Sequence, residues 1–275
     1  MFHLGTAGYP EGSKGPIDAL ERLRARGLDA LEVQFVRRAG MREEMARDLG
    51  ARARAIGVLL SVHAPYYINF NSRNPETVGK SVGWVTRTAE AAHSMGAGLI
   101  VIHAALYHGK DPREVTETVI DGVRRCLSIM SDGGYNTPLI GLEVMGKKAA
   151  WGRISEIGEV VNALDCVVPV VDFAHLHAFG EGALRSAEDV RRNLEEVRGY
   201  YQGPLHCHYS SVAYGDRGER RHLPLEAGEP RFELVAEALL DWERDVTIIS
   251  ETPCPVRGAE AIRKILGIVS ENRIQ

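Results

Sequence analysis

Short apolar runs alternate with longer amphipathic stretches along the whole sequence, and few folds can accommodate this alternation. Eight of the runs are typical of buried strands: HLGTAG, ALEVQFV, LLSVHAPY, LIVIHAALY, PLIGLEVMG, VVPVVDFAH, PLHCHYS and VTIISETP. After each run comes a stretch in which apolar residues recur every three or four positions, as they do in amphipathic helices. Strands that alternate with helices predict a parallel sheet covered by helices.

Eight strand–helix repeats predict an α/β fold with a single (β/α)₈ TIM barrel, because eight such repeats close a parallel sheet into that barrel. A doubly wound open sheet is the alternative. It usually carries a Gly-rich phosphate turn after its first strand, and GTAGYPEG is a weak match at that place. No linker or low-complexity tract divides the 275 residues, so we expect one domain over residues 1–275.

Helix boundaries can be predicted at several places from the residues that cap helices. Asp111, which precedes Pro112, and Ser186 are typical of helix starts. Gly57, Gly96 and Gly199 are typical of helix ends.

Charge and cysteine content exclude several classes of protein. A net charge of −4 argues against a protein that holds nucleic acid by bulk positive charge. The four cysteines are scattered without a CxxC pair, which predicts reduced thiols in the cytoplasm and neither a disulfide framework nor a zinc ribbon. The N-terminus does not resemble a signal peptide. The longest apolar run, AGLIVIHAAL, is too short to cross a bilayer, so we expect no membrane partner. A monomer is the expected oligomeric state.

Polar side chains end most of the predicted strands, although the strands are otherwise apolar. In a TIM barrel, the C-terminal ends of the strands carry the chemistry and close into one ring. We therefore expect these side chains to lie close together. From the third strand to the eighth they are His63, His103, Glu143, Asp172 with His175 just beyond it, His206 and His208 on one strand, and Glu251.

Acids and imidazoles that meet in one ring would repel and desolvate one another without a counter-charge, and metal cations supply that charge. For any one histidine, the simpler interpretation is a hydrogen-bonded imidazole in the core. Imidazole and carboxylate donors without clustered thiolates suit zinc, manganese or iron. We interpret Cys207 and Cys254, which lie near these residues in the sequence, as packed small side chains.

At these residues the sequence resembles the endonuclease IV family of apurinic/apyrimidinic endonucleases, within the xylose-isomerase-like barrels. The resemblance runs from about residue 2 to the end of the chain. The segments that carry it are SVHAPYYINF, VIHAAL, IGLEVMGK, VVDFAH, LHCHYSS and IISETP. The combination of HAPY, the D-x-x-H of the sixth strand and the late ETP is specific.

The resemblance implies up to three Zn²⁺ ions, with Mn²⁺ as the alternative metal. His63 and His103 would hold the first ion, and Glu143 would bridge it to a second. Asp172, His206 and Glu251 would complete the second site, with Glu143 and Glu251 as the catalytic residues. His208 points to the same side of its strand as His206 and competes with it, but the family pattern favours His206. His177 lies outside the pattern, and we interpret it as a supporting or surface residue.

The third zinc site is where this sequence departs from the family. His175 would share that ion with an acid and a histidine from the loop after the seventh strand. The family has Asp-x-His there, whereas this loop reads GDRGERRHLPL. Glu219 and His222 are the expected ligands, with Asp216 as the other candidate carboxylate. A second departure is the N-terminus, which reads LGTAG where the family has a histidine and has only His3 nearby.

The resemblance implies double-stranded DNA with abasic sites as the partner, cut 5′ to the abasic sugar. Side chains that fill the gap left by a flipped nucleotide are expected at Tyr66 and Tyr67, although a lid over a small-molecule pocket would explain them too. Phosphate contacts are expected from loop cations at the same end of the barrel. The residues concerned are Arg37, Arg38, Lys147 and Arg220, with Lys148, Arg217 and Arg221 beside them.

Two other functions fit parts of the pattern. A metal-dependent sugar isomerase or epimerase on the same barrel would also use strand-end acids and histidines, but it would not need the third site. A protein that binds damaged DNA without cutting it would have no need of the ring of metal-binding carboxylates.

Overall fold

The structure, a computed structural model, describes residues 1–36, 39–135 and 137–274. Twelve strands occur in these residues: β1 (Phe2–Ala7), β2 (Ala30–Gln34), β3 (Leu59–His63), β4 (Leu99–Ile102), β5 (Ala105–Leu106), β6 (Leu139–Glu143), β7 (Ala150–Trp151), β8 (Val167–Asp172), β9 (Leu205–Tyr209), β10 (Ser211–Gly215), β11 (Gly218–Leu223) and β12 (Val246–Ser250). Eight of them form a closed parallel barrel in the order β1, β2, β3, β4, β6, β8, β9 and β12. The predicted α/β fold with a (β/α)₈ TIM barrel is therefore confirmed.

Nine α-helices occur in the described residues: α1 (Pro16–Ala25), α2 (Glu43–Ile56), α3 (Pro75–Met95), α4 (Pro112–Asp132), α5 (Ile154–Ala163), α6 (Phe173–Phe179), α7 (Ala187–Arg198), α8 (Phe232–Leu239) and α9 (Pro255–Ile274). Eight of them coincide with the predicted amphipathic stretches. The ninth, α6, follows β8 without a connecting loop and was not predicted.

The predicted helix boundaries agree with the structure. The side chains of Asp111 and Ser186 accept hydrogen bonds from backbone N–H groups in the first turns of α4 and α7. Gly57 and Gly96 end α2 and α3 in the left-handed conformation, with φ of 67° and 69°, which glycine adopts without the steric cost of a Cβ. Gly199 ends α7.

The barrel interior is divided into an apolar half and a polar half. Leu99, Val101, Val168 and Val170 form a buried cluster of their own inside the sheet, separate from the larger core between strands and helices. On the opposite side, inward-facing positions of β2, β3 and β9 are occupied by Glu32 with Ser61 and His206, which are connected by hydrogen bonds.

Two small antiparallel ribbons lie outside the barrel. One pairs β5 with β7 and the other pairs β10 with β11. The β10–β11 hairpin replaces the irregular loop that was expected after the seventh barrel strand. No helix in the described part of the chain has both the length and the apolar content that crossing a membrane requires.

Candidate metal centre

The predicted strand-end residues meet at the C-terminal mouth of the barrel. His63, Glu143 and Asp172 are the last residues of β3, β6 and β8, while His103 and Glu251 come directly after β4 and β12. Parallel strands in a closed barrel bring these positions to the same end. In the described residues, ligand atoms form four groups close enough to hold a metal ion, and three of these groups lie at the mouth. Two of the three contain the strand-end side chains, and the third joins His175 to the β10–β11 hairpin.

The first group consists of His63, His103 and Glu143. The Nε2 atoms of the two histidines lie 3.1 and 2.8 Å from the same oxygen of Glu143, Oε2. The Nδ1 of His63 is 2.8 Å from the backbone carbonyl of Ala64. A carbonyl only accepts, so Nδ1 carries the proton of a neutral His63 and the lone pair of Nε2 faces the carboxylate. Two facing lone pairs need a proton or a cation between them.

The central group consists of Glu143, Asp172, His208 and Glu251. The Nδ1 of His208 lies 3.2 Å from Glu143 Oε1 and 3.5 Å from Glu251 Oε1. Burial raises the pKa of Glu251, and the carboxylates of Glu143 and Asp172 raise it further against the opposing effect of His208. Such a raised pKa reflects the cost of gathering acids without a counter-charge.

Asp172 supplies a direct test of whether this group suits a cation. Its Oδ1 accepts a hydrogen bond from the backbone N–H of His175, and this bond caps the N-terminus of α6. Its Oδ2 is buried and has no hydrogen-bond partner among the described residues. Buried carboxylate oxygens are rarely left unpaired, because desolvation is costly. An unpaired carboxylate oxygen that lies beside two further acids and an imidazole fits a divalent cation.

In the central group the structure places His208, and not the predicted His206, beside Glu143, Asp172 and Glu251. Both side chains face the barrel interior, since residues two apart in a strand share a face. His208 pairs in register with Asp172, whereas His206 pairs with Val170, one layer deeper. The Nε2 of His206 lies instead 3.0 Å from Glu32 Oε2.

The third group consists of His175, Glu219 and His222. Nε2 of His175 lies 3.5 Å from Glu219 Oε2, and Nε2 of His222 lies 3.7 Å from Glu219 Oε1. Nδ1 of His175 is 2.8 Å from the carbonyl of Val144. As in His63, Nδ1 therefore carries the proton of the neutral ring, and the lone pair of Nε2 is available to a cation. Asp216, the other candidate carboxylate, is exposed in the turn between β10 and β11.

A β-bulge explains how Glu219 and His222 share a face although they stand three positions apart. Their partners on β10 are Tyr214 and Val212, which are two residues apart, and the register shifts between these pairs. The extra residue of β11 is Arg220. A bulge of this kind places two residues opposite one, so the alternation of faces resumes one position later.

The hairpin is held against the loop that follows β6 by a close backbone contact. The backbone N–H of Glu219 donates to the carbonyl of Gly146, at 3.0 Å. Gly218 has a φ of +89°, and a Cβ there would come within 2.0 Å of that carbonyl oxygen. Only glycine allows this approach, and the approach brings Glu219 to His175.

The residues expected to contact DNA lie around the mouth where the structure describes them. The ring of Tyr66 lies over the first group, with its centroid 4.8 Å from that of His63. Tyr67 is 56% exposed and faces outward. Lys147 and Arg220 are exposed on the opposite side of the mouth. Arg37 and Arg38 lie outside the described residues.

Two further buried residues lie near the metal groups, and the sequence pattern predicted a supporting or surface role for one of them and none for the other. His177 is buried in α6 rather than on the surface, and its Nδ1 accepts from the N–H of Leu184. Glu32 was missed, although it is fully buried beside His206 and His208. The available signal was an acid in the middle of the apolar run ALEVQFV, since an unpaired buried charge is costly.

The chain is similar to known proteins over most of its length. A family model described as xylose isomerase-like TIM barrel matches residues 20–269. An uncharacterized protein of Methanocaldococcus jannaschii is 31% identical over 258 residues, which cover 92% of each chain. A probable endonuclease 4 of Mycobacterium ulcerans is 24% identical over 241 residues, which cover 86% of this chain and 90% of that one.

Solved structures share the fold at lower identity. Endonuclease IV from Thermus thermophilus superimposes with a TM-score of 0.72 at 21% identity, covering 98% of this chain and 99% of the other. A D-tagatose 3-epimerase-like protein superimposes with a TM-score of 0.73 at 19% identity, covering 97% and 99%. The resemblance to endonuclease IV that the sequence motifs indicated is confirmed by these matches, and epimerases share the barrel.

Proposed function

The chain belongs to the family of xylose isomerase-like TIM barrels, and we propose that it is a metal-dependent endonuclease that cuts DNA 5′ to an abasic site. Zn²⁺ is the proposed metal, because imidazole and carboxylate donors at short distances suit it, and Mn²⁺ is the alternative. The four free cysteines fit a reducing compartment, so the proposed location is the cytoplasm.

One observation carries this proposal: the group of His175, Glu219 and His222 stands beside the other two groups. An enzyme that moves a proton between the carbons of a sugar can work with the central group alone. Phosphodiester cleavage needs charge stabilisation on both the attacking and the leaving oxygen, which adjacent cations provide. A third group, carried by a dedicated hairpin, favours the hydrolase.

Glu143 joins the first and central groups through its two oxygens. Oε2 faces His63 and His103, while Oε1 lies 3.2 Å from Nδ1 of His208. Glu251 faces the third group as well, since its Oε2 lies 3.8 Å from Nε2 of His222. These two carboxylates would keep the three groups in a fixed relation, and we assign them the catalytic roles. Bound cations would supply Lewis-acid activation of the phosphodiester and of the attacking water.

The two sides of the barrel mouth differ in a way that suits duplex DNA with a missing base. Exposed apolar side chains project from the loops after β1 to β4, where they could stack in the gap of the duplex. Cationic side chains project from the loop after β6 and from the β10–β11 hairpin, where they could contact phosphates. The apolar set is Tyr9, Val36, Tyr66, Tyr67 and Leu106, and the cationic set is Lys147, Lys148, Arg217, Arg220 and Arg221.

A nicking assay on a labelled duplex with one abasic site tests the proposal. Zinc-loaded protein is expected to cut 5′ to the site. Glu143→Gln is expected to lose at least about 10–100-fold of this activity, the usual effect of losing even an outer partner of a metal ligand, because it removes a carboxylate shared by two metal groups. Glu156→Gln is the matched control, since Glu156 is also a buried carboxylate but lies with Tyr107 in the outer core. Intact duplex after incubation with zinc-loaded or manganese-loaded wild type would contradict the proposal.

A sugar epimerase is the second candidate, and the central group favours it. Glu143 and Glu251 both lie near Nδ1 of His208, at 3.2 and 3.5 Å, so the group holds two acids that could exchange protons with a substrate. A solved relative with the same fold is described as D-tagatose 3-epimerase-like. Conversion of a ketohexose by manganese-loaded protein, with no nick in abasic DNA, would establish this alternative.

A further inference from the structure

We propose that Glu32 is a positioning residue that fixes the orientation and tautomer of His208 for the metal centre. Glu32 lies in the middle of β2, one layer below the strand ends, and is fully buried. It belongs to none of the three groups at the mouth of the barrel. This inference depends on the metal centre of the proposed function, but not on the identity of the substrate.

Four side chains surround the Glu32 carboxylate at hydrogen-bond distance. The hydroxyl of Ser61 donates to Oε2 at 3.0 Å, and the side-chain amide of Gln34 donates to Oε1 at 3.1 Å. The Nε2 atoms of His206 and His208 lie 3.0 and 3.2 Å from Oε2. A buried carboxylate with this many donors is held in one position, because every change of angle would break a hydrogen bond.

His208 faces acids with both of its ring nitrogens. Nε2 meets Glu32, whereas Nδ1 meets Glu143 and Glu251 at the mouth. A carboxylate that is already held by Ser61 and Gln34 can only accept, so Nε2 of a neutral His208 carries the hydrogen and donates it. The lone pair of Nδ1 is then directed at the central group. A carboxylate that receives the second N–H of a ligating histidine both orients the ring and raises its basicity.

The same network connects the metal centre with the aromatic side of the mouth. Gln34 donates to Glu32 and also accepts a hydrogen bond from the hydroxyl of Tyr66, at 3.1 Å. The ring of Tyr66 lies over His63 and His103. Glu32 therefore lies at the base of a connected set of side chains that reaches two of the metal-binding groups.

A different role for the same residues is a metal site of their own. Ligand atoms of Glu32, His206 and His208 are close enough to hold an ion. Such an ion would require His208 to bind metals through both nitrogens. It would also compete with Ser61 and Gln34 for the oxygens of Glu32. Hydrogen bonds already satisfy these groups, which favours the positioning role.

Titration of metal-free protein with Zn²⁺ and Co²⁺ against a competing chelator tests the inference. Glu32→Gln is expected to weaken the affinity of the central site by about 10–100-fold, the usual effect of removing such a partner. The visible absorption of bound Co²⁺ is expected to change as well, because the ligand field depends on the orientation of the His208 ring. Glu156→Gln, the control for loss of a buried carboxylate, is expected to keep both affinity and spectrum.

His206→Gln separates the positioning role from a metal site beneath the centre. Glutamine keeps an N–H donor for Glu32, so the positioning role predicts an affinity close to that of wild type. An equal loss in His206→Gln and Glu32→Gln would overturn the inference in favour of a metal ligand. Wild-type affinity and spectrum in Glu32→Gln would overturn it as well, with the metal centre intact. A wild-type protein that binds no metal would overturn the proposed function too.

Discussion

Glu219 and His222 stand three positions apart on β11, yet their side chains meet on one face, with Nε2 of His222 3.7 Å from Oε1 of Glu219. In a regular strand, residues three apart point to opposite faces. The bulge at Arg220 removes this difference. The spacing Glu-x-x-His, which the sequence presented as a departure from Asp-x-His, is therefore compensated by the backbone of the hairpin.

Deletion of Arg220 is predicted to leave the metal content unchanged. It places Glu and His two positions apart, where regular alternation brings them to the same face without a bulge. His222→Ala, in contrast, is expected to lower the content by about one ion per chain, because a site with two remaining ligands binds weakly. Elemental analysis of the purified proteins measures both.

Arg220→Ala serves as the control for that deletion, because it removes the charge and keeps the bulge. Loss of an ion from the deletion variant alone would show that the bulge itself, and not the shared face, positions the pair.

Glu251→Gln is predicted to have opposite effects on metal-free and metal-loaded protein. The pKa of Glu251 is raised by burial and by neighbouring acids. A raised folded-state pKa gives stability that is complete below the unfolded-state pKa and is lost as pH rises through the folded-state value. Glutamine avoids this loss, so the metal-free variant is expected to melt above metal-free wild type at neutral pH.

With metal present, the same variant lacks a ligand and is expected to melt below wild type. The difference is about 2.7 kcal/mol where the ion concentration is about 100 times the wild-type dissociation constant and the variant no longer binds. Thermal unfolding with and without chelator measures both signs. Glu226→Gln, at an exposed acid paired with Arg257, is the control. A variant that melts below wild type in both states would contradict the prediction.

Tyr67→Ala is predicted to weaken binding to abasic duplex by about 5- to 150-fold, because stacking on a base contributes about 1–3 kcal/mol. Its ring is exposed and its centroid lies 6.1 Å from that of Trp84, so the substitution leaves the metal ligands in place. Tyr67→Phe keeps the ring and is expected to bind like wild type. Binding is measured by fluorescence anisotropy at fixed salt, and equal affinities for the alanine variant and wild type would exclude this contact.

Two of the four thiols are predicted to react rapidly in the native protein at about pH 8, near the ordinary pKa of a thiol. Cys166 and Cys254 are exposed, whereas Cys126 and Cys207 are buried. Burial raises the pKa of Cys126 to about 12 and raises that of Cys207 as well, and only the thiolate reacts. A disulfide reagent measures the count, which is expected to rise to four in denaturant. A third rapid thiol in native protein would contradict the burial pattern.

The raised pKa of the Cys126 thiol also affects the stability of the protein at alkaline pH. An acid with a raised folded-state pKa stabilises the fold below its unfolded-state value, so the contribution of Cys126 is lost as pH rises from about 9 through about 12.

Most of the fold could be predicted because the barrel strands are buried on both faces and appear as continuous apolar runs. Helix α6 could not, since FAHLHAF continues directly from the apolar run of β8. The Asp172 side chain, by accepting from the N–H of His175, is what starts a helix there. The β10–β11 hairpin was also missed, because GDRGERRHL, which contains β11, has no apolar residue before its final Leu and shows no alternation.

The sequence predicts which strand ends form the site, but not which side chains lie in the layer below them. Alternation assigns His206 and His208 to the same face, and only the register with β8 shows which of them is level with Asp172. Glu32 could not be predicted from the pattern of polar strand ends, because it lies two residues before the end of β2. Its role depends on partners from β3 and β9, which no local pattern reveals.

The division of the barrel interior determines where the protein can be redesigned. Apolar side chains tolerate exchange when their total volume is kept, so paired substitutions among Leu99, Val101, Val168 and Val170 offer room for directed evolution. The opposite half has no such freedom, since the oxygens of Glu32 and the side chains around them are joined by hydrogen bonds. A library built on this scaffold should therefore vary these four apolar positions and leave untouched both the hydrogen-bonded side and the ligands at the strand ends.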